Sequence, residues 1–242
     1  MSLTDPDGFS ITPGGPAGAF VASAAREHGG PGAAVPREKL KMRTGSEAGR
    51  PPTHETVRTG EVAMELHPDY PALVQHLAQR GYPLVFQQEY PHVVFKRVCN
   101  KQGEVLREEK HVAVVAGMRF LDLEHEAGHV TQLEDNLGGN LPTEKWVQLR
   151  PDREVLVKNA PDVLTPWQNA ITEHHNRLLE FLRLQERGSP VELLQSHRKG
   201  IEEWASIYNQ YLFDPRPKPE RISWAKLHFP DLTNLIAQVR FL

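Results

Sequence analysis

The chain has 242 residues, with 28 Lys and Arg against 31 Asp and Glu, a net charge of −3 and one cysteine, Cys99. Basic residues are interleaved with acids, as in REEKH and RLQERG, so no basic field invites nucleic acid, and one cysteine excludes an intrachain disulfide framework or a multi-cysteine zinc site. The most apolar stretch, HVAVVAGMRFL, is too short to span a bilayer, and MSLTDPDGFS lacks the basic start of a secretory signal. The expected protein is soluble, without a membrane span, and any export follows a route that leaves no such signal.

Gly and Pro crowd the first sixty residues, in TPGGPAGAF, REHGGPGAAVPRE and EAGRPPTHE. With few aliphatic side chains to bury, such a segment cannot offset its chain entropy. Residues 1–60 therefore read as a disordered leader and 61–242 as one domain. Asp69 to Arg80 reads as a short helix ended by Gly81. YPLVFQQEY, HVVFKRV and EVLREEKHVAVV follow as strands, with NKQGE as the turn of a hairpin between the last two. This predicts a small, partly antiparallel sheet.

Helices come next. The first is expected from about Met118 to Asn136, stopped by Gly138-Gly139. The second starts at TPWQ, where Thr165 caps, Pro166 takes the first helical position and Gln168 completes a capping box. It runs to Gly188. SPVE repeats that start signal through Ser189, Pro190 and Glu192, and the third helix runs to about Leu212 before DPRPKPE breaks it. FPDLTNLIAQVRFL predicts a last packed helix. Sheet first and helices after is an α+β order.

The first of these helices carries HEAGH, residues 125–129. Side chains four apart stand on one helical face, so His125 and His129 can aim imidazole nitrogens at one metal ion. Glu126 lies about 100° round the helix from His125, where a general base would take a proton from a metal-bound water. Gly128 removes bulk between the two ligands and allows a backbone or substrate to approach. Apolar neighbours including Phe120, Leu121, Leu123, Val130 and Leu133 predict a buried helix, and buried histidines need partners. The competing reading is an incidental HExxH in an interaction protein.

A catalytic zinc takes three protein ligands and keeps a position for water. After His129 the chain reads VTQLED, without a third histidine in an extended motif. The densest downstream source is QNAITEHHNRLLEF, with Glu173, His174 and His175. Trp167, Ile171, Leu178 and Leu182 form an apolar stripe on that helix, with His174 and His175 near its edges and Glu173 on the polar side with Asn169 and Glu180. If the helix is central, that polar side faces the metal, and Asn169 and Glu180 become supporting partners. Tyr208, His197 or His175 could hydrogen-bond an oxyanion, although each reads more simply as a packing or surface residue. Trp204 reads as core and Glu124 as a surface or supporting group, while Glu134 and Asp135 lie too far along the helix to orient a histidine.

Through HEAGH the chain resembles the zincin class of metallopeptidases. In the branch with a glutamate ligand, the third ligand comes from a helix tens of residues downstream, and Glu173 stands forty-four positions after His129. That branch often carries an aspartate four residues beyond the glutamate; here the position is Arg177. Three stretches, MRFLDLEHEAGHVTQLE, QNAITEHHNRLLEFLRLQERG and HRKGIEEWASIY, resemble metallopeptidase domains of bacterial polymorphic toxins, which sit at the C-terminal end of a delivered protein. The resemblance implies a zincin-like α+β fold, Zn2+ held by His125, His129 and Glu173, and Glu126 as catalytic base. It also implies a protein or peptide substrate, an immunity or inhibitor partner, and a bacterial cytoplasmic or delivered location. A zinc hydrolase of a non-peptide amide is the alternative that uses the same water chemistry.

Overall fold

The first helix of the domain lies inside the segment expected to be a leader. Thr53 and Thr56 form a reciprocal cap, with the Thr56 amide donating to Thr53 Oγ1 at 3.1 Å and the Thr53 amide to Thr56 Oγ1 at 3.0 Å. This starts α1 (His54–Thr59), which Gly60 ends in the left-handed conformation at φ 76°. The computed structural model describes residues 3–4, 10–11, 52–87, 90–100, 102, 104–138, 144–150, 153–160 and 164–240. The remainder of the expected leader lies outside the described residues. The chain divides into two units, Met1–Lys41 and Met42–Leu242. In the first, β1 (Leu3–Thr4) pairs antiparallel with β2 (Ser10–Ile11).

The second unit is α+β. After α1 and a 3₁₀ turn at Met64–Leu66 comes α2 (Tyr70–Gln79), with Pro71 in its first turn. Then follow β3 (Leu84–Gln87), β4 (His92–Cys99) and β5 (Val105–Val115). The expected hairpin forms: β4 and β5 pair antiparallel, with Val93 opposite Val112 and Phe95 opposite Lys110. β3 joins β5 in parallel, so the sheet is mixed. The expected elements did not include β6 (Glu144–Arg150) and β7 (Arg153–Ala160), an antiparallel pair that continues the sheet in the order β3-β5-β4-β7-β6.

The helix carrying HEAGH, α3 (Phe120–Thr131), ends in a π-helical turn at Gln132–Asn136. The first amides of a helix lack partners within it. Here Val62 O accepts from the Phe120 amide and Gly60 O from the Leu121 amide, both at 2.9 Å. The segment after α1 is therefore structural, and the domain begins before residue 61.

Next come α4 (Pro166–Glu186), α5 (Val191–Phe213), α6 (Pro219–His228) and α7 (Leu232–Arg240). The expected cap of α4 forms, with the Thr165 amide donating to Gln168 Oε1 at 3.0 Å. The SPVE start is corrected: Pro190 is the N-cap, α5 begins at Val191, and Ser189 Oγ has no hydrogen bond among the described residues. DPRPKPE leads directly into α6, an additional helix.

Two apolar cores result. One joins Val93, Phe95, Val112 and Val114 of the sheet to Phe120, Leu123 and Val130 of α3. The other joins Ile171, Leu178 and Phe181 of α4 to Ile201, Leu212, Phe229, Leu232 and Val239 of the later helices. Trp224 packs against both, whereas Trp204, expected in the core, is only half-buried. Among the described residues no helix is long and apolar enough to cross a membrane.

Candidate metal centre

The two cores use opposite sides of α3 and α4, so the facing sides of these helices can be polar. On α3 that side carries His125 and His129. On α4 it carries Glu173, Asn176 and Glu180, positions i, i+3 and i+7, which helical geometry stacks on one face. α4 is therefore the central helix whose polar side faces the motif.

His125, His129 and Glu173 each offer one donor atom, and these atoms lie within 4.8 Å of one another. His129 Nε2 stands 3.3 Å from Glu173 Oε1, and His125 Nε2 stands 3.6 Å from Glu173 Oε2. The two rings are nearly perpendicular, with centroids 4.9 Å apart. Two imidazole nitrogens and a carboxylate form the kind of three-ligand set that leaves a divalent ion an open position.

The other ring nitrogens are held from outside. His125 Nδ1 lies 3.2 Å from Glu180 Oε2. Glu180 in turn meets His197 Nδ1 at 3.5 Å through its second oxygen, and the Arg177 guanidinium lies 3.9 Å from both Glu173 Oε2 and Glu180 Oε2. His129 Nδ1 lies 2.8 Å from Gln132 Oε1. Gln132 donates through Nε2 to Thr172 O at 2.8 Å and lies 3.0 Å from His175 Nδ1. Both oxygens of Asp231 stand 3.2 Å from His175 Nε2.

Burial and charge set the protonation of the group. Burial would lower the His125 pKa, but hydrogen bonds to Glu173 and Glu180 outweigh it and push it up to about 10. Against the same burial, the two motif histidines hold the Glu173 carboxyl well below the usual range, and His125 leads in drawing Glu180 down to about 2. Glu126 is raised, because burial outweighs the pull of His129 and His125. Its carboxylate makes no hydrogen bond or ion pair among the described residues. Glu126 and Glu180 are buried and Glu173 is half-buried, and the Arg177 guanidinium lies beside the last two. Two imidazole nitrogens and a carboxylate gathered within 4.8 Å of one another are a donor set that fits a divalent metal.

Of the candidate third ligands, the structure brings only Glu173 to the motif histidines. His175 is bonded to Gln132 and Asp231. His174 packs on Tyr208 with ring centroids 5.4 Å apart, its Nδ1 has no hydrogen-bond partner among the described residues, and burial lowers its pKa to about 4. Tyr208 also packs on Phe213, and His197 meets the group at Glu180. Glu180 does support the cluster as the polar stripe suggested. Among the described residues Asn169 makes no side-chain bond to it, and Asn176 takes the inner position by donating to His125 O at 2.8 Å. Gly128 admits this same side chain rather than a substrate: a Cβ there would stand 2.0 Å from Asn176 Oδ1. Glu124 binds Arg187, Glu134 binds Tyr82 and Lys110, and Asp135 binds Arg80.

Sequence reasoning missed Gln132, Asn176 and Asp231. A polar residue at i+3 from His129 was the one local signal for Gln132; nothing local marks the other two. No protein-family model matches the chain, nor does any curated protein or solved structure show significant similarity to it.

Proposed function

We propose that this chain is a zinc-dependent metallopeptidase with a zincin-like fold, hydrolysing a peptide bond in a protein substrate. The observation that carries the reading is the convergence of His125, His129 and Glu173 beside the buried Glu126 on the same helix. The resemblance of HEAGH and its flanking stretches to bacterial toxin metallopeptidases supports a delivered effector, for which an immunity or inhibitor protein would be the natural partner. β3, at one edge of the sheet, offers an extended peptide a strand to pair with.

His125 and His129 would hold the ion through Nε2 and Glu173 through its carboxylate. Zinc, when bound, acts as a Lewis acid towards a substrate carbonyl and lowers the pKa of a bound water from 15.7 to about 7. Glu126 handles the proton. It is a buried carboxylate one residue from His125 on the motif helix, the position from which a general base reaches a water at the centre. Its carboxylate accepts the water proton and returns it to the leaving amine. Glu180 and Gln132 keep the two rings turned so that their Nε2 atoms meet Glu173, and Arg177 balances the carboxylate charge beside them.

The test is cleavage of a diverse peptide library by zinc-loaded protein, read by mass spectrometry. Glu126→Gln keeps the size of the side chain but cannot take the proton, so zinc content should persist while turnover falls about 10²- to 10⁴-fold. Full turnover in this variant on an identified substrate would refute the mechanism.

A further inference from the structure

We propose that Gln132 is the positioning residue that sets the tautomer of His129, and that Asp231 holds Gln132 in place through His175, so that the start of the last helix tunes metal affinity. The inference rests on the metal-centre reading above and deepens it.

The protonation pattern follows from donors and acceptors alone. Thr172 O can only accept, so the Gln132 amide group must face it with Nε2. Oε1 therefore faces His129 Nδ1 at 2.8 Å, and that nitrogen must carry the hydrogen. A neutral ring protonated at Nδ1 keeps its lone pair on Nε2, the atom that stands 3.3 Å from Glu173. The second hydrogen of Gln132 Nε2 points to His175 Nδ1, which accepts. The hydrogen of neutral His175 is then on Nε2, where Asp231 takes it. Flipping the amide would set Oε1 against Thr172 O and Nε2 against the His129 N–H, so only one arrangement satisfies every member.

Gln132, His175 and His129 are all buried, whereas the Asp231 side chain is 49% exposed. A half-satisfied buried network is worse than an apolar one, so its completeness argues for an orienting role. The π turn contributes, because Gln132 O accepts from the Leu137 amide at 2.9 Å across the widened turn. This anchors Gln132 beside His129 while Leu133 and Leu137 enter the first core. Asp231 directly precedes α7 and accepts the Leu235 amide at 3.0 Å through its carbonyl. The carboxylate that ends the chain of bonds is thus tied to the docking of that helix.

The experiment uses the full chain loaded with zinc, for affinity by chelator competition, and with an NMR-active cadmium isotope, for ring-nitrogen coupling. Gln132→Leu should weaken zinc about 10- to 100-fold, as loss of an orienting partner does. Asp231→Ala, at a half-exposed position, should also weaken it, and Asp231→Asn should restore it because an amide oxygen still accepts from His175. In the wild type, cadmium should couple to His129 Nε2 with a slowly exchanging hydrogen on Nδ1, and Gln132→Leu should lose that slow exchange. Wild-type zinc affinity in folded Gln132→Leu, or in both Asp231 variants, would overturn the inference while leaving the metal centre standing. If Gln132→Leu does not fold, the Asp231 pair decides. Absence of metal from the wild type would overturn both readings.

Discussion

The two motif histidines, His125 and His129, stand one turn apart on the same helix, yet their outer nitrogens are held by different chemistry. On the His125 flank the partner is a carboxylate, Glu180, shared with His197 and close to Arg177. On the His129 flank it is an amide, Gln132, backed by a backbone carbonyl and a neutral histidine. A carboxylate makes its imidazole more basic and adds charge to the buried set; an amide orients without adding charge. Two carboxylate flanks would bring a further negative charge out of water beside Glu126 and Glu173, at a substantial desolvation cost. The asymmetry therefore separates two tasks, charge on one side and orientation on the other.

Glu180→Gln would make the ionic flank chemically like the amide flank. An acceptor for His125 Nδ1 remains, but the negative charge is gone. Zinc affinity should fall about 10- to 100-fold, and the salt dependence of binding should stay small because the site is buried. Unchanged affinity by chelator competition would show that charge on this flank is dispensable.

The two flanks share one spacing, set where Gly128 meets Asn176. Gly128→Ala puts a methyl against the Asn176 side chain, 2.0 Å from its oxygen before any adjustment. Overpacking of this kind costs about 1–3 kcal/mol, to be read from denaturant unfolding. Asn176→Ala in the same chain should recover part of that loss in a double-mutant cycle. A Gly128→Ala protein of wild-type stability would mean that the helices can separate freely.

The smallest expected effect lies outside both flanks and serves as their control. His67 stacks on Phe120 with ring centroids 3.7 Å apart, and its Nδ1 accepts the Asp69 amide at 3.2 Å, a bond that needs the neutral ring. Burial, only partly offset by Asp69, lowers its pKa below 6.5. As pH falls below that value the unfolded chain takes up the proton first, so this contribution to stability is present above about pH 6.5 and lost below it. His67→Phe should flatten the acid side of the stability profile without altering zinc content at pH 7. An unchanged acid slope would place the sensitivity elsewhere.

How much of this could be read beforehand depends on sequence distance. HEAGH, the TPWQ cap and the β4–β5 hairpin are local patterns, and periodicity or capping chemistry exposes them directly. Glu173 needed two helices to be brought face to face; its polar stripe was visible but its neighbours were not. The amides of α3 are capped by Gly60 and Val62, about sixty residues before them, in a segment whose glycine and proline content reads as a linker. Gln132 and Asp231 belong to a bond chain spanning 102 residues from His129 to Asp231, which leaves no periodic trace. EKWVQLR and REVLVKNA carry only short apolar runs, WV and VLV, between charged flanks, and runs this brief do not separate a strand from a helix by period, so β6 and β7 leave a weak trace.

The account stands on one ion held by three side chains. The most direct measurement is crystallographic, with anomalous diffraction collected above and below the zinc absorption edge from crystals grown with zinc. One strong peak should appear within bonding distance of His125 Nε2, His129 Nε2 and the Glu173 carboxylate, and it should vanish in a His125→Ala/His129→Ala protein. A peak bound elsewhere, or one that survives the double substitution at full occupancy, would contradict the assignment.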